Sequence, residues 1–190
     1  MPPRTETPLL LCGIGLFLTV VEVNGFGFDV ADDTVGFLLV CVGALRLSSF
    51  VGRRLSLLTA VAAGLAALVS LFTYGGPAGV VLPMTHRFWD QTFLLDTATT
   101  AGVVIGLLLV VWSRARPASA APPWSVRALP LLAVTYLVAA ALSVPLVTNP
   151  SAYVGMLGNV RQAVGVLVAA VQGLTAVAVL LAARTGSTPR

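Results

Sequence analysis

The sequence predicts an all-α, polytopic membrane bundle of about six transmembrane helices, arranged as three hairpins with both termini cytoplasmic. Three observations predict it. The chain is 57% hydrophobic and only 9% charged, where an ordinary soluble domain carries about 25% charged residues. Apolar stretches near the ~20 residues that cross ~30 Å of hydrocarbon recur along its 190 residues. The basic residues, eleven arginines and no lysine, fall in alternate loops. Such a pattern sets topology, because positive loops stay on the cytoplasmic side.

The whole chain, residues 1–190, reads as a single integral membrane domain. Its spans are expected at about 8–28, 34–50, 55–74, 92–112, 128–147 and 160–183, with boundaries soft by a few residues. Span one runs from "LLLCGIG" toward "NGFGFD". "LLLCG" has the outline of a lipoprotein cleavage box, but Leu11 is too large for the position before the cysteine. The apolar run also continues past Cys12, so the segment is expected to stay as an anchor. Span two starts at Asp33 or Thr34 and stops at Arg46. Span three is the alanine-rich "LSLLTAVAAGLAALVSLFTY". After the long connection "GGPAGVVLPMTHRFWDQ", span four carries a Gly102/Gly106 GxxxG pair. The linker "SRARPASAAPPWSVR" leads to span five, and "TNPSAYVGMLGN" separates five from six. Spans two and four share an acidic start, a glycine-containing apolar run and an arginine stop. A worn repeat and the ordinary grammar of an outside-to-inside span both account for this.

Orientation follows from the arginines. Arg4, Arg46, Arg53, Arg54, Arg114, Arg116, Arg127, Arg184 and Arg190 lie on one side, against Arg87 and Arg161 on the other. Every acid except Glu6 lies toward the opposite face. Trp112 and Trp124 suit the inner interface, and Tyr74 and Trp89 the outer one. The arginines serve topology here. No basic patch interleaved with aromatics offers a surface to nucleic acid. The lysine-free, Ala/Val/Gly/Leu-rich usage points to a GC-rich bacterial genome, which places the protein in a bacterial inner membrane.

Membrane helices associate through small residues and a few hydrogen-bonding side chains. Gln162, Gly165, Ala169, Gln172 and Ala176 recur at helical spacing and form one stripe on span six. Cys12, Gly15, Thr19 and Glu22 do the same on span one. Such a stripe is a packing seam or a polar path for a solute, and the spacing alone allows both. Glu22, Asp96 and Arg161 lie at similar depth near the outer face, where they can form a charge cluster. With Gln162 and Gln172 they are the candidate intramembrane polar residues.

Motifs of chemistry are missing. The chain has no GxxxxGK[ST], HExxH, GxSxG or strand-following GxGxxG. Cys12 and Cys41 lack metal-site spacing, and His86 with Asp90 supplies too few ligands for a metal centre. No cofactor, no metal and no enzymatic activity are expected. The expected function is that of an accessory or structural integral membrane protein, seated against itself or another membrane protein in the lipid bilayer. The alternative is a small-solute or ion transporter, or channel-like subunit, with a polar path along span six.

The acidic stretch "FDVADDTVGFLLVCVGALRL" carries a further signal. It resembles the first hairpin of a group of small, uncharacterised bacterial multi-pass membrane proteins, D-x-x-P-D-x-x-G-[aromatic]-L. Asp29, Asp33, Gly36, Phe37, Leu38 and Gly43 fall on matching positions, while Asp32 stands where that pattern has proline. The resemblance covers one hairpin and implies an integral membrane protein without naming an activity. Physically, Asp32 and Asp33 can cap span two, since its first N–H groups and its dipole favour negative charge. Gly36 and Gly43 would let spans one and two approach closely.

Overall fold

The computed structural model describes residues 6–20, 24–25, 28–29, 33–50, 52–72, 86–115, 124–148 and 156–185. Within these, side chains at 24–25, 28–29, 71–72, 86–93, 115, 124–127, 146–148, 156–158, 161 and 185 are outside the description. The elements in chain order are α1 (Glu6–Leu18), β1 (Asn24–Gly25), β2 (Phe28–Asp29), α2 (Asp33–Leu47), α3 (Arg53–Phe72), α4 (His86–Ala115), α5 (Trp124–Thr148) and α6 (Met156–Thr185).

Among the described residues there are six helices, and four of them are long and apolar enough to cross a membrane: α3, α4, α5 and α6. Their outward faces are apolar. Leu58 and Leu131 are each 68% exposed and Val166 64%, a surface that suits hydrocarbon and not water.

The first helix departs from expectation. Instead of running to residue 28, α1 ends at Leu18 after 13 residues. Its last turn tightens, with Val20 N–H donating to the Phe17 carbonyl at 3.1 Å. Beyond it, Asn24 pairs with Asp29 and Gly25 with Phe28 in an antiparallel two-strand hairpin. Hydropathy counts Val20, Val21, Val23 and Phe26 as span-like. The β-branched valines and the glycines are nevertheless poor helix formers. Helix α1 is therefore about 20 Å long, and the 15-residue α2 about 22 Å.

Consecutive helices pack side by side. Helix α6 closes back on α1, and α4 also touches α6 across the bundle. Neighbours run antiparallel. A Cβ at Gly43 would meet Cys12 and Pro8, while one at Gly36 would meet Thr19 and Gly15. On α3 and α4, Gly102 faces Ala62 and Gly106 presses on Thr59. Thr34 on α2 shares a 2.8 Å hydrogen bond with Ser70 on α3. Alanines 60, 63, 66 and 67 of α3 are buried, so small side chains set these close approaches.

This antiparallel order gives the bundle two unlike ends. Arg46, Arg114 and Arg184 lie in the last turns of α2, α4 and α6, where they complement the helix dipoles. Arg53 and Arg54 open α3 at that same end. The opposite end carries the β-hairpin and Asp33, which opens α2 where the dipole favours a carboxylate. Helix α5 contains Pro130 and Pro145. Pro145 has no N–H for the carbonyl four residues earlier.

Candidate functional site

At the hairpin end the helices leave a cavity of about 220 Å³, lined from the turn after α1 and from α2, α4, α5 and α6. Thr19 comes from the turn after α1, and Asp33 and Phe37 from the first turns of α2. Helix α4 brings Asp96, Thr97 and Thr100; α5 brings Tyr136, Ala140 and Ser143; α6 brings Gly165, Val168 and Gln172. Asp96, Thr97 and Thr100 reach one cavity because positions i, i+1 and i+4 lie within one broad helix face.

The polar groups in the bundle fall into two kinds. Most hydroxyls return to their own helix. Thr59 donates to Leu55 O at 2.9 Å, Thr99 to Leu95 O at 2.9 Å, and Thr175 to Val171 O at 2.8 Å. Ser70 and Ser143 do so across three residues, to Ala67 O and Ala140 O. Such bonds satisfy a hydroxyl where water is absent. The second kind faces the cavity. Tyr136, only 2% exposed, has no hydrogen-bond partner for its hydroxyl among the described residues. The same holds for the hydroxyls of Thr97 and Thr100 and for the half-buried carboxylate of Asp96. All four side chains line the one cavity.

Gln172 anchors the floor. Its Nε2 donates to Thr19 Oγ1 at 2.6 Å, and Thr19 Oγ1 donates in turn to Leu16 O at 2.8 Å. Thr19 Oγ1 is thus both acceptor and donor, which joins α6 to the end of α1. The Gln172 carbonyl oxygen has no partner among the described residues, and the residue lines the cavity. Removing this link is expected to cost about 1 kcal/mol, as interhelical hydrogen bonds in membranes do. Gln172→Leu and Thr19→Val should each lower unfolding stability by that amount, and the double variant by no more than either alone. Additive losses in the cycle would show that the two side chains act independently.

The structure sorts the candidates read from the sequence. Asp96, Asp33 and Gln172 meet at the cavity. The span-six stripe divides: Gln172 and Ala176 are buried, whereas Gln162, Gly165 and Ala169 are exposed. Arg161 lies on α6 with its side chain outside the described residues, and Glu22 and Asp32 lie outside them altogether. Asp29 belongs to β2. Gly36 and Gly43 are buried against α1. His86 and Asp90 share α4, with side chains outside the description; among the described residues no group of three His, Cys, Asp or Glu could hold a metal ion.

Tyr136, Thr97, Thr100 and Ser143 were not legible as site residues. Tyr136 offered one signal, a tyrosine well inside a span and away from the interfacial belts, whose hydroxyl must find a polar neighbour.

Compared with protein-family models, curated proteins and solved structures, the chain matches none. The functional reading rests on the cavity.

Proposed function

We propose that this protein is a small-solute transporter or channel-like subunit of the bacterial inner membrane, with both ends of the chain cytoplasmic and no catalytic chemistry. The cavity would admit a polar solute from the outer face. One observation carries this reading: Asp96, Tyr136, Thr97 and Thr100, whose side chains have no hydrogen-bond partner among the described residues, line one space within the bundle. Ionisable and polar groups at membrane depth are costly and mark solute or ion paths. An accessory, purely structural role would be served by self-satisfied hydroxyls and small-residue seams, which the bundle also contains. It gives no use to the unpaired set. Support for the orientation comes from the arginine end, which faces the cytoplasm by the positive-inside rule and turns the cavity outward.

One labelling experiment tests access and orientation together. Cys12 and Cys41 are free and would first be replaced by alanine. In that background Ser143→Cys should react with a membrane-impermeant maleimide in intact cells. Ala118→Cys, in the linker between α4 and α5, should react only after the cells are opened. Labelling of Ala118→Cys from outside would reverse the topology. A Ser143→Cys thiol that reacts only after denaturation would end the proposal of an outward-open cavity.

A further inference from the structure

The chemistry of the cavity wall points to one class of solute: we propose that the site binds a small organic cation, an ammonium compound of about half a dozen non-hydrogen atoms. The inference rests on the solute-binding reading above and specifies what is bound.

Charge comes first. The described lining residues include two carboxylates, Asp96 and Asp33, the latter with an interaction of its own, and no arginine, lysine or histidine. Asp96 is half-buried and unpaired among the described residues. A carboxylate partly withdrawn from water is stabilised by a positive charge that meets it there. An anionic solute would add a like charge, and a neutral one would leave the carboxylate uncompensated.

Independent of the acids, the remaining polar atoms suit a cation. The Gln172 carbonyl oxygen and the hydroxyl oxygens of Tyr136 and Thr100 can all accept, as an ammonium group requires of its surroundings. The 98%-buried side of this set is the decisive one: Tyr136 is 2% exposed, lines the cavity and has no partner among the described residues. Phe37 and Tyr136 also bring aromatic surface to the wall, and cations are attracted to aromatic faces.

Size separates an organic cation from a metal ion. A space of about 220 Å³ corresponds to roughly seven waters at ~30 Å³ each. A desolvated metal ion needs a tight cage of oxygens at 2.0–2.6 Å or so, and no described cluster of acids, histidines or cysteines offers one. A compact alkylammonium would fill the space, with its charge toward Asp96 and its carbons against Phe37 and Ala140.

The test uses the full chain in mild detergent, with Ser143→Cys in the Cys12→Ala, Cys41→Ala background as reporter. Three isosteric probes are compared at equal concentration: choline, the neutral 3,3-dimethylbutanol and the anionic 3,3-dimethylbutyrate, with sodium chloride matching ionic strength. Choline is expected to slow maleimide labelling of the reporter at least ~3-fold, and the other three to leave it unchanged. Asp96→Asn added to the reporter should weaken choline protection by ~10-fold or more, as loss of one buried charge partner implies. Asp96→Glu, which keeps the charge, should retain most of it. The comparison of the three probes needs no change at Asp96, so a misfolded Asp96→Asn would not blunt it. Equal protection by the alcohol or the carboxylate would overturn the cation assignment and leave a solute cavity standing. Equal protection by sodium would replace the organic cation with an inorganic one. A reporter that labels readily and is protected by none of the probes would overturn the inference without touching outward access.

Discussion

Gly15→Ala is expected to destabilise the protein by about 3 kcal/mol, the upper end of what overpacking costs, lowering the unfolding temperature by roughly 10 °C. A Cβ at Gly15 would lie 2.5 Å from the Gly36 carbonyl oxygen, 2.9 Å from Leu39 Cβ and 2.9 Å from Val40 N. Two of those atoms are backbone and cannot rotate away, so α1 and α2 would have to separate. The reciprocal change Gly36→Ala meets Thr19 Cγ2 at 2.5 Å and the Gly15 carbonyl oxygen at 2.7 Å. Gly43→Ala meets Cys12 Sγ at 2.6 Å and the Pro8 carbonyl oxygen at 2.7 Å. Gly64→Ala is the control. Its Cβ would sit 3.7 Å from Cys41 Sγ, an ordinary contact, and stability should change by less than ~1 kcal/mol or rise slightly, since alanine favours a helix. Thermal unfolding in detergent reads the series. If Gly15→Ala matches Gly64→Ala, the α1–α2 contact is looser than the structure has it. The consequence reaches the cavity, because Thr19, which Gly36 presses, also holds Gln172.

Gly165→Phe should do the opposite, sparing the fold and closing the site. Among the described residues no heavy atom lies within 4 Å of a Cβ built there, and any residue but proline improves on glycine in a helix interior, by up to about 1 kcal/mol. The unfolding temperature should therefore hold or rise. Gly165 nevertheless lines the cavity, and a phenyl ring on that wall would occupy much of it. Maleimide labelling of Ser143→Cys should slow by ~10-fold or more, a barrier of about 1.4 kcal/mol. A stable Gly165→Phe that labels at the original rate would show that the solute enters elsewhere. Together the two glycines separate roles that composition cannot: Gly15 is small because a backbone lies against it, and Gly165 because a space does.

Particular residues show how far the sequence could be read. Asp96 was legible, since a carboxylate a turn inside an apolar run is expensive wherever the bundle places it. Gln172 was legible from its position on a small-residue stripe, yet the same stripe misled at Gln162 and Ala169. Periodicity assigns residues to a face of a helix, not to what stands opposite that face. Span one misled for another reason. Its valines are apolar enough for a membrane, but with Asn24, Gly25 and Gly27 they disfavour a helix, and hydropathy does not weigh backbone preference. Tyr136 was hard to read as a site residue because its only close polar neighbour in the chain is Thr135. Its hydroxyl gains meaning only beside Asp96 of α4 and Gln172 of α6.

By itself, the sequence determined the class of the protein and the unlike charge of its two ends. Apolar length, scarcity of charge and the spacing of arginines act through local transfer free energies, which are properties of composition along the chain. Tertiary structure alone decided which polar groups meet. Closing α6 onto α1 and laying α4 against α6 depends on how side chains of different helices fit, with glycine against backbone and Thr19 against Gln172. That fit gathers Asp96, Tyr136, Thr97 and Thr100 at the hairpin end around a common space, which no single helix contains.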